Sequence, residues 1–337
     1  MNTFAPPLPP EAPPRRPVRG WAVRAWAMRL GALAVVAAAV AYDAGVLIII
    51  PVLFVLIVPF EKMFPRHRGQ RIRRPLALLD VRYALTTVAV GVVSVIVGAL
   101  IGIASLAWVP GLAIRPLVGM LPAAVTPFVA VVLFDLAIYW AHRWSHEVPA
   151  LWKFHAIHHS TEQLDWVSGF RAHPLDGAIV APPVVFLLAA GFDPAVTGAL
   201  ALVQFVTGLF LHANVRWRLR PLHRLVITPE FHHWHHSYEP EAHNSNYSVF
   251  LPLWDILFGT YYMPRNKRPV RYGVALDVGT TMRAQLAYPF RGMRPFRRTA
   301  RGIVTGVWRS TTRERTRYAR PGEPYPWTAH VPSRTGV

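Results

Sequence analysis

The chain of 337 residues contains no cysteine. Disulfides, thiolate zinc sites, cysteine-ligated iron–sulfur clusters and thiol nucleophiles are therefore excluded, and any chemistry must use nitrogen and oxygen groups. The chain is also poor in charge, because 16% of its residues are charged while 53% are hydrophobic and the mean hydropathy is +0.29. These values are too apolar for an ordinary soluble domain and indicate a membrane protein.

Acidic residues are few. The chain has 17 Asp and Glu against 36 Lys and Arg, which gives a formal net charge of +19. Such a surplus needs an anionic partner, and both nucleic acid and acidic lipid would satisfy it. The high hydropathy favours membrane lipid, and no patterned basic motif argues for nucleic acid binding.

The apolar residues are grouped into runs that are long enough to be transmembrane helices. Residues 1–30 are predicted to form a disordered Pro/Arg-rich arm, since seven of the first twenty residues are proline. Residues 31–134 are expected to contain transmembrane helices and a basic cytoplasmic loop. Within them, the stretch 31–60 fits either one tilted span or a hairpin that turns at Tyr42–Gly45. Further spans are predicted at 83–108, 118–140, 177–190 and 194–211, with turns at 109–111 and 191–194.

The predicted fold class is an all-α, polytopic membrane protein with roughly four transmembrane helices, a possible N-terminal hairpin and a histidine-rich helical cap. The loop 61–82 carries seven Lys and Arg, so the positive-inside rule places it in the cytoplasm. Two crossings later the chain returns to that side, and the cap is therefore expected on the cytoplasmic face. The basic C-terminal tail 263–337 is expected either to lie on anionic headgroups or to be disordered.

Histidines are concentrated in one part of the chain, where thirteen of the fifteen lie between 142 and 243. His142 and His146 are four residues apart, and two further clusters have the spacing i, i+3 and i+4, which places imidazoles on one helix face. These two clusters are His155, His158 and His159, then His232, His235 and His236. Eight imidazoles exceed the needs of one tetrahedral metal, so the pattern predicts two metals. His212, at the end of a span, is a ninth candidate, and His173 is a weaker tenth.

The histidines do not identify the metal, because imidazole binds zinc, iron, copper and nickel. Iron is favoured, since no nucleophile motif or hydrolysable substrate is indicated and a nitrogen-rich site beside lipid suits oxidation. Metal-bound imidazoles usually donate their second N–H to an acceptor. Asp135 is the leading candidate for such a supporting role, because it lies two helical turns before His142 in a membrane span, although it could instead make a structural polar contact between helices. The other available carboxylates are Glu230, Asp255, Glu147 and Asp165.

These motifs together resemble the fatty acid hydroxylase / sterol desaturase superfamily over residues 135–262. The resemblance is carried by ordered segments: Asp135-x6-His142-x3-His146, Leu151-Trp152-x2-His155-x2-His158-His159, His173-Pro174-Leu175, His212-Ala-Asn214, Thr228-x3-His232-x2-His235-His236 and Asn246-Tyr247-x6-Trp254-Asp255-x2-Phe258-Gly259-Thr260. The resemblance implies an integral membrane enzyme with two iron ions and O2 as co-substrate, which hydroxylates or desaturates a lipid such as a sterol or fatty acyl chain. Residues 135–262 would be its catalytic domain.

The resemblance also implies roles for individual residues, with no catalytic residue separate from the metal ligands. The implied ligands are His142, His146, His155, His158, His159, His212, His232, His235 and His236. The residues expected around them without binding metal are Asp135, His173, Asn214, His233 and Asp255. One position departs from some members of the superfamily, where a further ligand histidine stands four residues after the equivalent of His212; here it is Arg216.

Two electrons per turnover must come from another protein, because the chain has no dinucleotide-binding motif and no haem or iron–sulfur domain. A ferredoxin or small haem protein with its reductase is the expected donor, and membrane lipids are expected neighbours. Hydroxylation is favoured slightly over desaturation. The alternatives are a membrane protein that binds or transports metal, and a zinc-dependent membrane hydrolase.

Overall fold

A computed structural model describes residues 45–71, 74–89, 91–178, 180–217 and 219–291. The predicted arm 1–30, the candidate turn at 42–44 and most of the basic tail lie outside these residues. The all-α prediction is confirmed: the described residues form helices and short 3₁₀ turns, with two isolated β-bridges and no strand.

The chain divides into two compact units, of which the first contains residues up to Pro75 together with Asn214–Trp217. Its helix α1 spans Gly45–Met63 as one continuous helix. The segment that follows α1 pairs with residues 214–217, because the Arg216 N–H donates to the Phe64 carbonyl at 2.8 Å. The Asn214 backbone N–H donates to Glu61 at 2.9 Å. Trp217 packs edge-on against Phe60, with ring centroids 5.2 Å apart.

The second unit, Leu76–Ala213 with Arg218 onward, holds the remaining helices. They are α2 Ala77–Ala89, α3 Gly91–Ala104, α4 Trp108–Gly119, α5 Thr126–Glu147, α6 Pro149–His155, α7 Ala181–Ala190, α8 Pro194–Leu211, α9 Pro229–His235, α10 Leu253–Leu257 and α11 Met282–Ala287. The predicted stop and restart at 191–194 is confirmed: Gly191 ends α7 with φ +89°, and Asp193 caps α8 by accepting the Ala195 N–H at 2.6 Å.

The predicted turn at 109–111 is wrong, because these residues lie inside α4. The chain turns earlier, around Leu106, which has φ +58°. Gly111 serves helix packing: a Cβ at this position would lie 2.5 Å from the Phe186 carbonyl oxygen and 2.9 Å from the Ala189 Cβ in α7. Small residues at such crossings let two backbones approach closely, which is common among membrane helices.

The spans are less regular than the sequence predicts. Among the described residues, one helix, α8, is long and apolar enough to cross a membrane. Residues 96–104 of α3 and helix α4 would make a second if they form one span, although they are bent by 85°. The all-helical architecture therefore stands, while the four predicted crossings remain a prediction.

Helix α5 connects the apolar core to the histidine-rich region. Phe134 and Ile138 on α5 are fully buried and pack with Leu187 and Ala190 of α7. The helix continues to Glu147, beyond the end predicted for its span. Its last turns therefore place His142 and His146 beyond the residues of α5 that pack in the apolar core. One continuous helix thus fixes these two histidines relative to the core.

We predict that Gly111→Ala destabilises the protein by about 1–3 kcal/mol, the usual cost of forcing a methyl group into a packed interface. The added Cβ would overlap the α7 backbone. Gly119→Ala is the matched control, because a Cβ at this other α4 glycine has nothing within 4 Å. Thermal unfolding of the two variants in detergent tests the prediction. Equal unfolding temperatures would show that the α4–α7 contact is not tight.

Candidate metal centre

The first histidine pair lies on α5, where His142 and His146 are one helical turn apart and 5% and 7% exposed. The second cluster does not form the single helix that its spacing predicts. Helix α6 ends at His155, and His158–Ser160 form a 3₁₀ turn. The three imidazoles still converge, because the change of helix type keeps them on one side of the chain.

The remaining histidines come from the ends of two helices. His212 caps the C-terminus of α8, as predicted. Helix α9 begins after Thr228, whose hydroxyl accepts the Phe231 N–H at 3.3 Å, and has Pro229 in its first turn. Its short length presents His232 and His235 in consecutive turns, with His236 at its C-cap.

The structure brings all nine predicted ligand histidines together in two neighbouring groups. The first group contains His142, His146, His155, His159 and His235, and the second contains His158, His212, His232 and His236. Within each group the candidate ligand atoms all lie within 4.8 Å of one another. The two groups are in direct contact, because the ring of His159 in the first group stacks on the ring of His236 in the second, with centroids 4.1 Å apart.

The orientation of these rings is fixed from behind by acceptors. Each of five Nδ1 atoms lies 2.7–3.1 Å from an oxygen that can only accept a hydrogen bond. The pairs are His142 with the Tyr247 carbonyl, His155 with the Asp176 carboxylate, His158 with the Arg171 carbonyl, His212 with the Gly208 carbonyl and His235 with the Ser245 carbonyl. In the neutral ring, Nδ1 therefore carries the hydrogen and Nε2 carries a lone pair.

Two contacts between these lone pairs are of the kind that a cation between the rings would stabilise. The Nε2 atoms of His142 and His155 are 3.2 Å apart, and those of His158 and His212 are also 3.2 Å apart. Neither nitrogen of such a pair has a hydrogen to donate when both rings are neutral. A metal with M–N bonds of about 2.1 Å would hold adjacent ligands about 3 Å apart and opposite ones about 4.2 Å apart, so the donor set fits metal ions.

Burial keeps these imidazoles neutral, the form that binds metal. It lowers the pKa of His235 to about 3 and the pKa of His212 to about 4, although a backbone acceptor opposes the shift in each case. Burial, reinforced by the neighbouring imidazoles, also lowers the pKa of six others well below the usual 6.5. They are His142, His146, His158, His159, His232 and His236.

Asp176, in the 3₁₀ turn Pro174–Ala178, is a site residue that the sequence reasoning missed. Its Oδ2 accepts from His155 Nδ1 at 3.0 Å, and both side chains are buried. A carboxylate in this position makes the imidazole a stronger ligand. The available signal was an acidic residue three positions after His173 in an otherwise apolar segment.

Asp135, the leading candidate for a supporting carboxylate, makes its hydrogen bonds with the segment 250–254 and not with an imidazole. Its carboxylate is buried and accepts from the Phe250 and Leu251 N–H groups and from the Trp254 indole, each at 3.0 Å. Asp135 therefore attaches the loop before α10 to helix α5. Because α5 also carries His142, the carboxylate fixes the position of the 250–254 segment relative to this helix. It does not orient an individual imidazole ring.

Asp255 supports the site through the backbone. Its carboxylate accepts from the Tyr247 and Ser248 N–H groups at 2.8 Å, and the Tyr247 carbonyl in turn accepts from His142 at 2.7 Å. Burial raises the pKa of Asp255 while these hydrogen bonds lower it. Asp255 therefore does not contact a ligand histidine itself, and the Tyr247 backbone lies between them.

Three other predicted neighbours make their hydrogen bonds elsewhere. His173 donates from Nε2 to the Leu286 carbonyl at 3.2 Å and accepts the Leu175 N–H at 3.0 Å. Asn214 belongs to the first unit, where its side chain bonds to the backbone of His67. His233 is buried on the other side of α9, with Nδ1 3.4 Å from the Tyr272 hydroxyl. None of these three belongs to either histidine group of the described residues.

A buried ion pair supports the loop that holds His158. Arg171 donates to Asp80 of α2, and the two side chains are 1% and 0% exposed. The carbonyl of the same arginine accepts from His158 Nδ1 at 3.1 Å. This pair was not predicted, because the two residues are far apart in sequence and neither resembles a metal ligand.

The fold and the site define an all-helical protein with two adjacent groups of imidazoles that can hold two metals. In the comparison with known proteins, residues 127–260 match the fatty acid hydroxylase family. The predicted resemblance to the fatty acid hydroxylase superfamily is confirmed over this part of the chain. No solved structure matches the chain.

The similar proteins are named for reactions on lipids. An ornithine lipid hydroxylase from Rhizobium tropici is 35% identical over 170 residues, 50% of this chain and 51% of that protein. Alkylglycerol monooxygenases from Danio rerio and Homo sapiens are 32% and 30% identical over 43% of this chain and 32% of each relative. The chain thus spans about half the length of the first relative and a third of the others. These names agree with the predicted oxidoreductase class.

We predict that Asp176→Ala lowers metal affinity by about 10–100-fold, the usual cost of losing an acceptor behind a metal-bound imidazole. The loss should be confined to the five-histidine group that contains His155. Competition with a chelator, followed by elemental analysis, measures the affinity. Glu162→Ala, which removes an exposed carboxylate nearby, is the control. Unchanged affinity in Asp176→Ala would contradict the role assigned to its carboxylate.

We predict that Gly169→Ala weakens metal binding by the four-histidine group. A Cβ at Gly169 would lie 3.1 Å from His212 Nδ1 and 3.0 Å from Leu209 Cδ2, so it would press the ring away from its acceptor. Gly198→Ala in α8 is the control, because its Cβ would meet nothing within 4 Å. The ratio of metal to protein should fall towards half in the first variant only. Full occupancy in Gly169→Ala would show that His212 tolerates displacement.

Proposed function

We propose that this protein is a membrane-bound di-iron oxygenase that uses O2 and external electrons to hydroxylate a lipid. The observation that carries the proposal is the pair of adjacent imidazole groups, whose Nε2 lone pairs face each other at 3.2 Å. Two metals held side by side in an all-nitrogen environment suit O2 chemistry better than hydrolysis, which needs only one open coordination position.

The proposed ligands are the nine histidines of the two groups. Iron bound there would supply the O2 activation that oxidation of an unactivated C–H bond requires. The protein orients the imidazoles: the carbonyls of Tyr247, Arg171, Gly208 and Ser245 hold the proton on Nδ1 and leave Nε2 free to bind. Asp176 adds negative charge behind His155 and so supports a more positive metal.

The proposed location is an integral membrane protein with several crossings and its site on the cytoplasmic face. Exposed apolar side chains on α3, α4 and α8 support membrane insertion, for example Leu100, Leu112 and Leu202, which are 62%, 48% and 49% exposed. The basic loop 61–82 supports the cytoplasmic assignment. The catalytic domain is proposed to be 135–262, between the transmembrane region 31–134 and the tail 263–337.

The substrate is proposed to be a lipid whose tail enters from the bilayer. The names of the ornithine lipid hydroxylase and the alkylglycerol monooxygenases support hydroxylation in preference to desaturation. A sterol or a fatty acyl chain remains the proposed range of substrates. The electrons are proposed to come from a ferredoxin or small haem protein with its reductase.

The proposal is tested by metal content and oxygen incorporation. We expect about two irons per chain after expression in iron-replete medium, and a lipid product that carries oxygen from labelled O2. The double variant His155→Ala/His235→Ala should lose metal and product, because both residues belong to the first group. His243→Asn, which changes a histidine outside both groups, should retain both.

Two outcomes would overturn the proposal. A pair of zincs that iron cannot replace, with a product formed without O2, would favour the hydrolase alternative. Metal that exchanges freely across the membrane without any oxygen-dependent product would favour metal binding or transport.

A further inference from the structure

Two segments outside every predicted span expose large apolar side chains in an unusual pattern. In the first segment, Leu222, Leu225 and Val226 are 40%, 63% and 43% exposed. In the second, which includes α10, Leu253, Ile256 and Leu257 are 42%, 42% and 62% exposed. Each set has the spacing i, i+3 and i+4, which in a water-soluble protein marks the face that packs inward.

Several residues of the same segments that carry polar groups are buried. Asp255 and Trp254 of α10 are 0% and 9% exposed, and both hold other parts of the site by hydrogen bonds. His223 is 8% exposed beneath the first segment. Apart from the exposed Arg224, both segments therefore have polar groups buried and apolar side chains outward, the arrangement expected where the surroundings are hydrocarbon and not water.

The two segments are connected through residues that adjoin them. The Ile227 N–H donates to the Phe250 carbonyl at 3.0 Å, and the Tyr261 hydroxyl lies 3.4 Å from the His223 carbonyl. Phe258, at the end of α10, is 41% exposed and packs against Trp140 of α5 with ring centroids 5.1 Å apart. The surface thus continues onto the end of α5, where aromatic residues are typical of a membrane interface.

The first segment carries positive charge and no negative charge. In the sequence, no acidic residue occurs between Asp193 and Glu230, and the segment 219–226 contains two arginines. Arg224 is exposed between the apolar residues of the first segment. Apolar side chains flanked by arginine complement the acyl chains and anionic headgroups of a bilayer surface.

We propose that these segments, 219–226 and 253–258, form an interfacial face that inserts into the headgroup region of the membrane. The inference goes beyond the proposed reaction, because it concerns how the histidine cap lies on the bilayer. The third histidine cluster, within Thr228–His236, is located between the two segments in sequence. Inserting both segments holds this cluster against the lipid, so that a tail reaches the site without crossing water.

A second copy of the chain fits this surface less well than lipid does. A two-fold symmetric contact brings each patch against the same patch of its partner. The exposed Arg224 of each copy would then approach like charge, and the segment 219–226 has no acidic residue to neutralise it. An anionic bilayer removes this repulsion.

Nitroxide labels at single cysteines test the proposal, because the native chain has no cysteine that would also react. Leu225→Cys and Leu257→Cys place the label on the interfacial face. Glu241→Cys and Asn266→Cys place it at exposed polar positions of the same unit as controls. The full chain is reconstituted in nanodiscs of phosphatidylethanolamine and phosphatidylglycerol, and label collisions with O2 and with a nickel chelate are compared.

We expect the ratio of O2 to nickel-chelate collisions to be several-fold higher at 225 and 257 than at 241 and 266, since O2 concentrates in hydrocarbon and the chelate is excluded. Equal ratios at all four positions would overturn the proposal. Spin–spin broadening at 225 and 257 that grows with protein density would instead assign the face to a second copy. The same labels in His155→Ala/His235→Ala should give the same ratios, so failure of the proposed iron chemistry would leave this test unaffected.

Discussion

The site depends on one constraint, which is that eight buried imidazoles stay neutral and a ninth is held against a carboxylate. A buried histidine with a free choice of tautomer would turn its N–H towards its neighbour and form an ordinary hydrogen bond. Here fixed acceptors behind five rings remove that choice and direct the Nε2 lone pairs at one another. A cation between the rings would remove the repulsion between these lone pairs, so the arrangement fits metal binding.

The fixed acceptors need support of their own, and buried carboxylates supply it. Asp255 holds the backbone that offers the Tyr247 carbonyl to His142, and Asp135 holds the same loop at its other end. Asp80 binds Arg171, whose carbonyl orients His158. Asp135 and Asp255 each accept from three donors, which offsets the cost of burying their carboxylates. The candidate metal centre thus has support from Asp80, which lies before position 127 and outside the family match.

The histidines could be predicted from the sequence because their spacing is local. Imidazoles three or four residues apart share one side of a helical turn, and this holds even where α6 gives way to a 3₁₀ turn at His158. The acceptors could not be predicted in this way. Asp135 lies in register with His142 yet binds the loop at 250–254, whereas Asp176 is twenty-one residues from His155 and contacts it directly. That two residues lie on the same face of one helix does not show which neighbouring segment each side chain will contact.

The sequence by itself determined the helical class, the apolar character and the set of candidate ligands, because these follow from composition and from short-range periodicity. Tertiary structure alone decided how the nine histidines divide into groups of five and four, since each group draws on several segments. It also decided that Gly111 packs one helix on another and that Leu225 and Leu257 face outward. The spacing of apolar residues predicts that a helix has one apolar face and one polar face. Only the packing of the whole chain determines which of these faces is turned inward.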